Sequence, residues 1–326
     1  LSRTIDAEET GIGYNDDRHA LLVSGSRGGK GASIIVNNLC LWQGSAVVID
    51  PKGENAIVTA RRRSTGSDYC HGLGQKTYIL DPFNTVQRDD DDFADLKARF
   101  NPLDAIDLEG EEGLDEATRL ADAIIVIQDK NDPFWEESAR SLIRGLILHV
   151  VSDPGFEGQR NLITVRQLIT RGDWLGVADI RRMNAQLAEA GDETIEEPNS
   201  FDLLWQGMSD NEAFGGVVAG VGSSFASMSE KAKDSIIQVS NRNTEFIDSP
   251  GMKRCLEASD FSLEELKTDK TGATVYLSLP QRYMNTHYRW LRMMITLTIT
   301  EMERVKQQPQ NGHRVLLVLD EFAGLK

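Results

Sequence analysis

Lys30 sits in the run SGSRGGKG, residues 24–31, and near the other end of the chain Asp320 and Glu321 follow the apolar run VLLVL. A lysine behind closely spaced glycines suits phosphate. The glycines let backbone N–H groups turn inward around phosphate oxygens, a following helix adds positive potential at its N-terminus, and the ammonium reaches the outer phosphates. The candidate nucleotide-binding residues are therefore Gly25, Ser26, Arg27, Gly28, Gly29, Lys30, Gly31 and Ala32. An Asp-Glu pair at a strand end suits the other half of the chemistry. There the Asp holds the Mg²⁺ shell and the Glu orients a water in line with the γ-phosphate. Asp320 is the candidate metal residue and Glu321 the candidate catalytic residue, with ATP and Mg²⁺ as the implied cofactors.

Two departures qualify the loop. Ser24 stands where a phosphate loop carries a turn glycine, and Gly31 stands where it carries a metal-coordinating hydroxyl. The metal would then rely on water, Ser33 or Asp320. Taken alone, the loop also reads as a glycine-rich turn, and the Asp-Glu pair as an acidic strand end. Both on strands of one α/β core support each other.

The elements that must position them come from hydrophobic patterning. HALLVSG (19–25), SAVVID (45–50), KTYILD (76–81), ATVYLSL (273–279) and RVLLVLD (314–320) read as buried parallel strands. Helical patterns between the first three indicate βαβ units and an α/β sheet. From about residue 108 to 266 helical periodicity dominates. SARSLIRGLILHVV (138–151), ADIRRMNAQLAEAG (178–191) and SEKAKDSIIQVSNRNTEFI (229–247) read as helices there, and LRMMITLTITEMERVK (291–306) as a core helix feeding the last strand. The expected organisation is a first core part over 1–107, an all-α insertion over 108–266, and a second core part over 267–326. The insertion accounts for the long separation of Lys30 from Asp320.

Composition narrows the partners. The 326 residues carry 35 Lys+Arg against 51 Asp+Glu, a net charge of −16, which argues against a general nucleic-acid surface while leaving room for local basic lining. Cys40, Cys70 and Cys255 are scattered without metal-ligand or disulfide spacing, as in a reducing compartment. No run approaches the ~18 apolar residues of a membrane span. The first residues lack a signal-peptide core and an initiator Met, so the chain is expected to begin inside a longer protein. The acidic stretches RDDDDFAD (88–95) and DLEGEEGLDE (107–116) read as solvated loops, since neither has the pattern of a calcium loop. AFGGVVAGVGSSFASMSEK (213–231) reads as close helix packing or a turn, and His149 as a core or edge histidine. Phe134, Trp135 and Trp205 read as packing anchors, with base stacking as the alternative. The arginines at 61–63 read equally as phosphate contacts or a solvated helix face.

Several blocks in order resemble the type IV secretion system coupling proteins, the TraG-like conjugative transfer ATPases. They are SGSRGGKG (24–31), GSAVVIDPKGEN (44–55), YILDPFN (78–84), FNPLDAI (100–106), DPFWEESARSLIRGLILHVV (132–151), TVYLSLPQ (274–281) and LLVLDEFAGL (316–325). The resemblance covers nearly the whole chain. It implies a RecA-like P-loop NTPase core with an inserted all-α domain, assembled into homo-hexamers at the cytoplasmic face of the bacterial inner membrane. The partners it implies are single-stranded DNA, a relaxase–DNA complex, protein effectors and other secretion components. Carried over to this chain, Lys30 would bind the β/γ-phosphates, Asp320 the Mg²⁺, and Glu321 would activate water. Asp50 and Glu54 are implied site-edge residues, with a capping or ion-pair role for Glu54 as the alternative. The family's membrane anchor, its later core strands with a sensing polar residue, and its trans-acting arginine are expected outside these residues. A fragment of this kind would bind nucleotide and hydrolyse it poorly, which leaves a recruitment platform for effectors as the alternative function.

Overall fold

The structure is a computed structural model that describes residues 18–23, 25, 28–108, 110–127 and 133–320. Its centre is a parallel sheet of β1 (Ala46–Ile49), β4 (Lys76–Leu80), β5 (Ala273–Leu277) and β6 (Leu316–Leu319), in the order β4-β5-β1-β6. A two-residue-per-strand hairpin, β2 (Gly66–Ser67) and β3 (Cys70–His71), lies apart from it. The register aligns Ile49 with both Leu277 and Leu319, and Leu277 with Leu80. All four strands therefore end together, and the residues that follow them share one edge.

Strand alternation divides the core. Ala46, Val48, Ile79 and Tyr276 point to one face, where they meet Ile35, Leu39, Ala56 and Ala60. Those partners belong to the turn Gly31–Ile35, to α1 (Val36–Leu41) and to α2 (Glu54–Arg63). Val47, Ile49, Leu80, Val275 and Leu277 point to the other face and join an apolar cluster that continues without a break into the remaining helices. Burial on both faces explains why these strands read as continuous apolar runs.

Between β4 and β5 every named element is helical. In order these are α3 (Gly113–Ile124), α4 (Phe134–Ser152), α5 (Leu162–Arg171), α6 (Trp174–Ala190), α7 (Ser200–Ser209), α8 (Ala213–Ser227), α9 (Glu230–Thr244), α10 (Pro250–Leu256) and the short α11 (Glu265–Thr268), with 3₁₀ turns between. Then α12 (Met284–Arg304) leads from β5 back to β6. The glycine-rich stretch at 213–231 forms α8 and the start of α9. A Cβ at Gly222 would lie 2.5 Å from the Ser209 backbone nitrogen, so glycine here permits the close approach of α7 and α8. At the start of α8, Phe214, Gly215 and Gly216 make a left-handed turn, with φ of 54°, 66° and 82°. His149 is buried, with Nδ1 3.0 Å from Asn211 Nδ2, and burial pushes its pKa down, as for a core histidine. Trp135 and Trp205 pack on the apolar cluster, whereas Phe134 is 55% exposed.

One expected strand is not formed among the described residues. Residues 19–23 join no ladder among the described residues, and Leu21 and Val23 are 87% and 84% exposed. An apolar run becomes a strand only where a sheet edge and covering side chains receive it, and among the described residues this one pairs with no edge and stays exposed. Among the described residues, the glycine-rich loop therefore does not follow a strand as its local sequence led us to expect.

Candidate nucleotide site at the carboxyl edge of the sheet

Ligands of open parallel sheets bind beyond the strands' carboxyl ends, where loops diverge. Here that edge carries Asp81 after β4, Ser278 after β5, Asp50 after β1 and Asp320 after β6. Asp50 and Asp320 follow paired residues of neighbouring strands, which places their backbones ~5 Å apart by normal strand spacing.

The loop arrives at the same edge. Gly28 N donates to Gly25 O at 3.0 Å, closing a turn, and Gly29 has φ of 79°, where a side chain would be strained. Lys30 then caps the wide π turn Gly31–Ile35, which runs directly into α1. The first N–H groups of such a helix have no acceptor within it and carry its positive dipole end. Ser33 N and Oγ both donate to Gly29 O, at 2.9 and 2.6 Å, which ties the loop to its helix.

Lys30 Nζ lies 2.7 Å from Asp320 Oδ1. The lysine of the loop and the aspartate of the last strand, remote in sequence, form an ion pair across the site. Gly31 and Ala32 occupy the first helical turn. A Cβ at Gly31 would meet nothing within 4 Å, so its missing hydroxyl leaves open space beside the ion pair's helix. A glycine-rich turn, a cation, a helix N-terminus and a carboxylate therefore meet at one place, and this donor set fits a magnesium-bound nucleotide. Ser26, Arg27 and Glu321 lie outside the described residues.

Asp50 is 1% exposed and accepts a hydrogen bond from Ala56 N at 2.8 Å. Burial pushes its pKa up to about 6; the charges of Asp320 and Glu54 add to this, and hydrogen bonds from the Ala56 and Asn55 N–H groups oppose it. Glu54 is the first residue of α2 and places its charge at that helix's positive end. Asp50 in the folded protein holds its proton more tightly than in the unfolded chain. Its contribution to stability is therefore complete below about pH 4 and is lost as pH rises towards 6, by about 3 kcal/mol at ~1.4 kcal/mol per unit. Asp50→Asn, which keeps an acceptor for Ala56 N, is expected to flatten urea stability between pH 4 and 7 and to raise it by about 1–2 kcal/mol at pH 7.5. An unchanged pH profile in the variant would refute this assignment.

Ser278 is a residue that the sequence reading did not single out. It is fully buried, and its Oγ has no hydrogen-bond partner among the described residues. The only signal for it was its place directly after β5. The acidic stretch at 88–95 is held by arginines: Arg88 meets Asp90 at 2.8 Å, and Arg61 meets Asp91 and Asp95 at 2.7 Å each. Among the described residues, no group of His, Cys, Asp and Glu is arranged to hold a metal by itself. Magnesium here would need phosphate oxygens and water beside Asp320.

A model of the type IV secretory system conjugative DNA transfer family matches residues 3–325. The chain belongs to that family. Among its curated members, the conjugal transfer protein TraG of Escherichia coli is 24% identical over 324 residues, covering 96% of this chain and 45% of TraG. Protein VirD4 of Rhizobium radiobacter is 24% identical over 308 residues, covering 94% of this chain and 38% of VirD4. The chain thus spans less than half the length of these relatives. Its fold is that of the family's solved structures, a RecA-like P-loop NTPase with an all-α region. The conjugative coupling protein TrwBdeltaN70 in its unbound form superposes with a TM-score of 0.56 at 16% identity, covering 91% of this chain and 54% of that one. TrwB in complex with the non-hydrolysable ATP analogue ADPNP gives 0.54 at 16% identity, covering 91% and 56%.

Proposed function

We propose that this chain is the ATP-binding and ATP-hydrolysing part of a coupling protein that recruits substrate and drives DNA, or a DNA–protein complex, to a type IV secretion channel. The observation that carries the reading is the 2.7 Å pair between Lys30 and Asp320 at the carboxyl edge of the sheet. The complex of TrwB with an ATP analogue supports it through the shared fold. In this reading the N–H groups from Gly29 to Ala32 cradle phosphate, and the Lys30 ammonium turns from Asp320 to the β/γ-phosphates. Asp320, once released from the lysine, would be the residue to hold the metal, and Glu321 would orient the attacking water. Bound Mg²⁺ supplies neutralisation of the phosphate charge. We further propose assembly as a homo-hexamer at the cytoplasmic face of the bacterial inner membrane, anchored by a segment outside these residues. Among the described residues, no helix is long and apolar enough to cross a membrane.

The direct test is calorimetric titration of a slowly hydrolysed ATP analogue with Mg²⁺ into the folded chain, followed by hydrolysis assays on the longer protein with and without single-stranded DNA. Absence of nucleotide binding to both would sink the proposal. Gly31→Ser adds the missing hydroxyl where open space receives it. It is expected to tighten nucleotide binding about three- to tenfold with Mg²⁺, about one charge-assisted contact, and to leave binding without Mg²⁺ unchanged. Equal effects with and without the metal would count against Asp320 and position 31 sharing a metal shell.

The excess of acidic residues favours a second reading, a platform that captures basic protein partners by charge. Salt-sensitive binding of single-stranded DNA favours the motor. Binding to protein effectors alone, without hydrolysis, favours the platform.

A further inference from the structure

The nucleotide site accounts for the carboxyl edge of the sheet but not for a cavity of about 380 Å³ on the helical side. Its walls are the segment Phe100–Asp107, the middle of α3, residues 259–263 and the last turns of α12, and it shares no residue with the phosphate loop, β1 or β6. Since α12 starts just after the carboxyl end of β5 and runs for 21 residues, ~30 Å at helical rise, its last turns lie well away from the nucleotide edge.

The chemistry of the lining is two-sided. Phe100, Phe261, Leu263 and Leu297 supply apolar wall, the first three of them less than 8% exposed. Four carboxylates, those of Asp104, Asp107, Glu116 and Glu301, line it against two guanidiniums, those of Arg119 and Arg304. Arg304 is already matched: it grips both oxygens of Glu301 at 3.0 Å and lies 3.8 Å from Glu264. Glu116 differs. It is 7% exposed, its Oε2 accepts from Asp107 N at 2.8 Å, and its Oε1 accepts no hydrogen bond among the described residues. Burial raises its pKa, and the charges of Glu112 and Asp107 add to this, against the Asp107 N–H and the charge of Arg304. Cavities of this size, mainly apolar with a few convergent polar groups, are the usual form of a ligand site.

We propose that this cavity binds a guanidinium or ammonium group carried on an apolar stem, with Glu116 receiving the cation and the phenylalanine-leucine wall receiving the stem. The source is either a free organic cation or an arginine or lysine side chain of a partner polypeptide. The inference is independent of the nucleotide site.

The test uses N-acetyl-arginine amide, its neutral isostere N-acetyl-citrulline amide, and the peptide acetyl-Leu-Arg-Leu-amide, each titrated into the whole chain by calorimetry and saturation-transfer NMR. The arginine probes are expected to bind at least tenfold more tightly than the citrulline probe. Glu116→Gln, which keeps an acceptor for Asp107 N, is expected to weaken them at least fivefold, while Lys30→Ala leaves them unchanged. Ala105→Trp, which places bulk in the cavity wall, is expected to abolish binding and decides the matter if Glu116→Gln does not fold. A peptide at least tenfold tighter than the arginine amide assigns the site to a partner chain; equal affinity assigns it to a free cation. Equal binding of citrulline and arginine, binding by neither arginine probe, or binding untouched by the folded variants would overturn the proposal.

Discussion

Lys30→Ala is expected to weaken binding of the magnesium–ATP analogue by roughly 30- to 1000-fold, the loss of about 2–4 kcal/mol from charge-assisted contacts to two phosphates. The fold itself is expected to survive, because Lys30 is one-third exposed and its ion pair with Asp320 lies at the site. That pair also predicts a change of sign in a second variant. With the metal, Asp320→Asn is expected to weaken nucleotide binding, since a shell carboxylate is lost. Without the metal the same change is expected to strengthen it, because the ammonium no longer has a carboxylate to leave and the site sheds one negative charge. Calorimetry on both proteins, in Mg²⁺ and in a chelator, reads both signs. Nucleotide binding that persists in a folded Lys30→Ala protein would remove the loop from the site altogether. Weakening by Asp320→Asn in both conditions would mean that the lysine is not restrained by the aspartate before binding.

Why Lys30 and Asp320 meet was legible from local sequence, and why other residues behave as they do was not. Four of the five apolar runs became strands within a residue or two of their expected limits: Ala46–Ile49 and Ala273–Leu277 are buried throughout, Lys76–Leu80 in part, and Leu316–Leu319 are half-buried at the sheet edge. Parallel pairing with a common register then brings their ends together, so motifs from distant parts of the chain share an edge. The run at 19–23 has the same composition but no ladder among the described residues, and nothing within seven residues encodes whether a sheet edge is available. Asp50 was legible as a residue beside the site, whereas its raised pKa depends on burial by elements that come later in the chain. The left-handed turn at Phe214 was equally hidden, because only the two glycines after it announce such geometry.

The arginines at 61–63 are where local reading misled most, and they carry the largest expected stability effect. Neither a phosphate contact nor a solvated face describes them. Arg61 grips both oxygens of Asp91 and of Asp95 at 2.7–2.8 Å. Arg62 donates to the carbonyl oxygens of Cys40 and His71. Arg63 is fully buried and directs its guanidinium to neutral acceptors: Thr274 Oγ1, Gln75 Oε1 and the carbonyl oxygens of Leu39, Trp42 and Gly44. Burial pushes its pKa down, yet the carbonyls at the end of α1 favour a cation there. One side chain thus joins the helix that carries the phosphate loop to the segments entering β1, β4 and β5. Arg63→Met, similar in length, would remove the donor to the carbonyls of Leu39 and Trp42 and five hydrogen bonds in all, while Gly44 O keeps Gln75 Nε2 and Gln75 Oε1 keeps Thr274 Oγ1. The expected loss is about 3–5 kcal/mol, a large share of the ~5–15 kcal/mol that holds a typical domain together. Arg63→Lys keeps the charge but has three donors for five acceptors, and is expected to recover only part of that loss. Urea denaturation of the three proteins measures the order directly. A methionine variant within 1 kcal/mol of the parent would mean that α1 and the sheet hold together without this arginine. The reading of Arg63 as their common fastening would then fail.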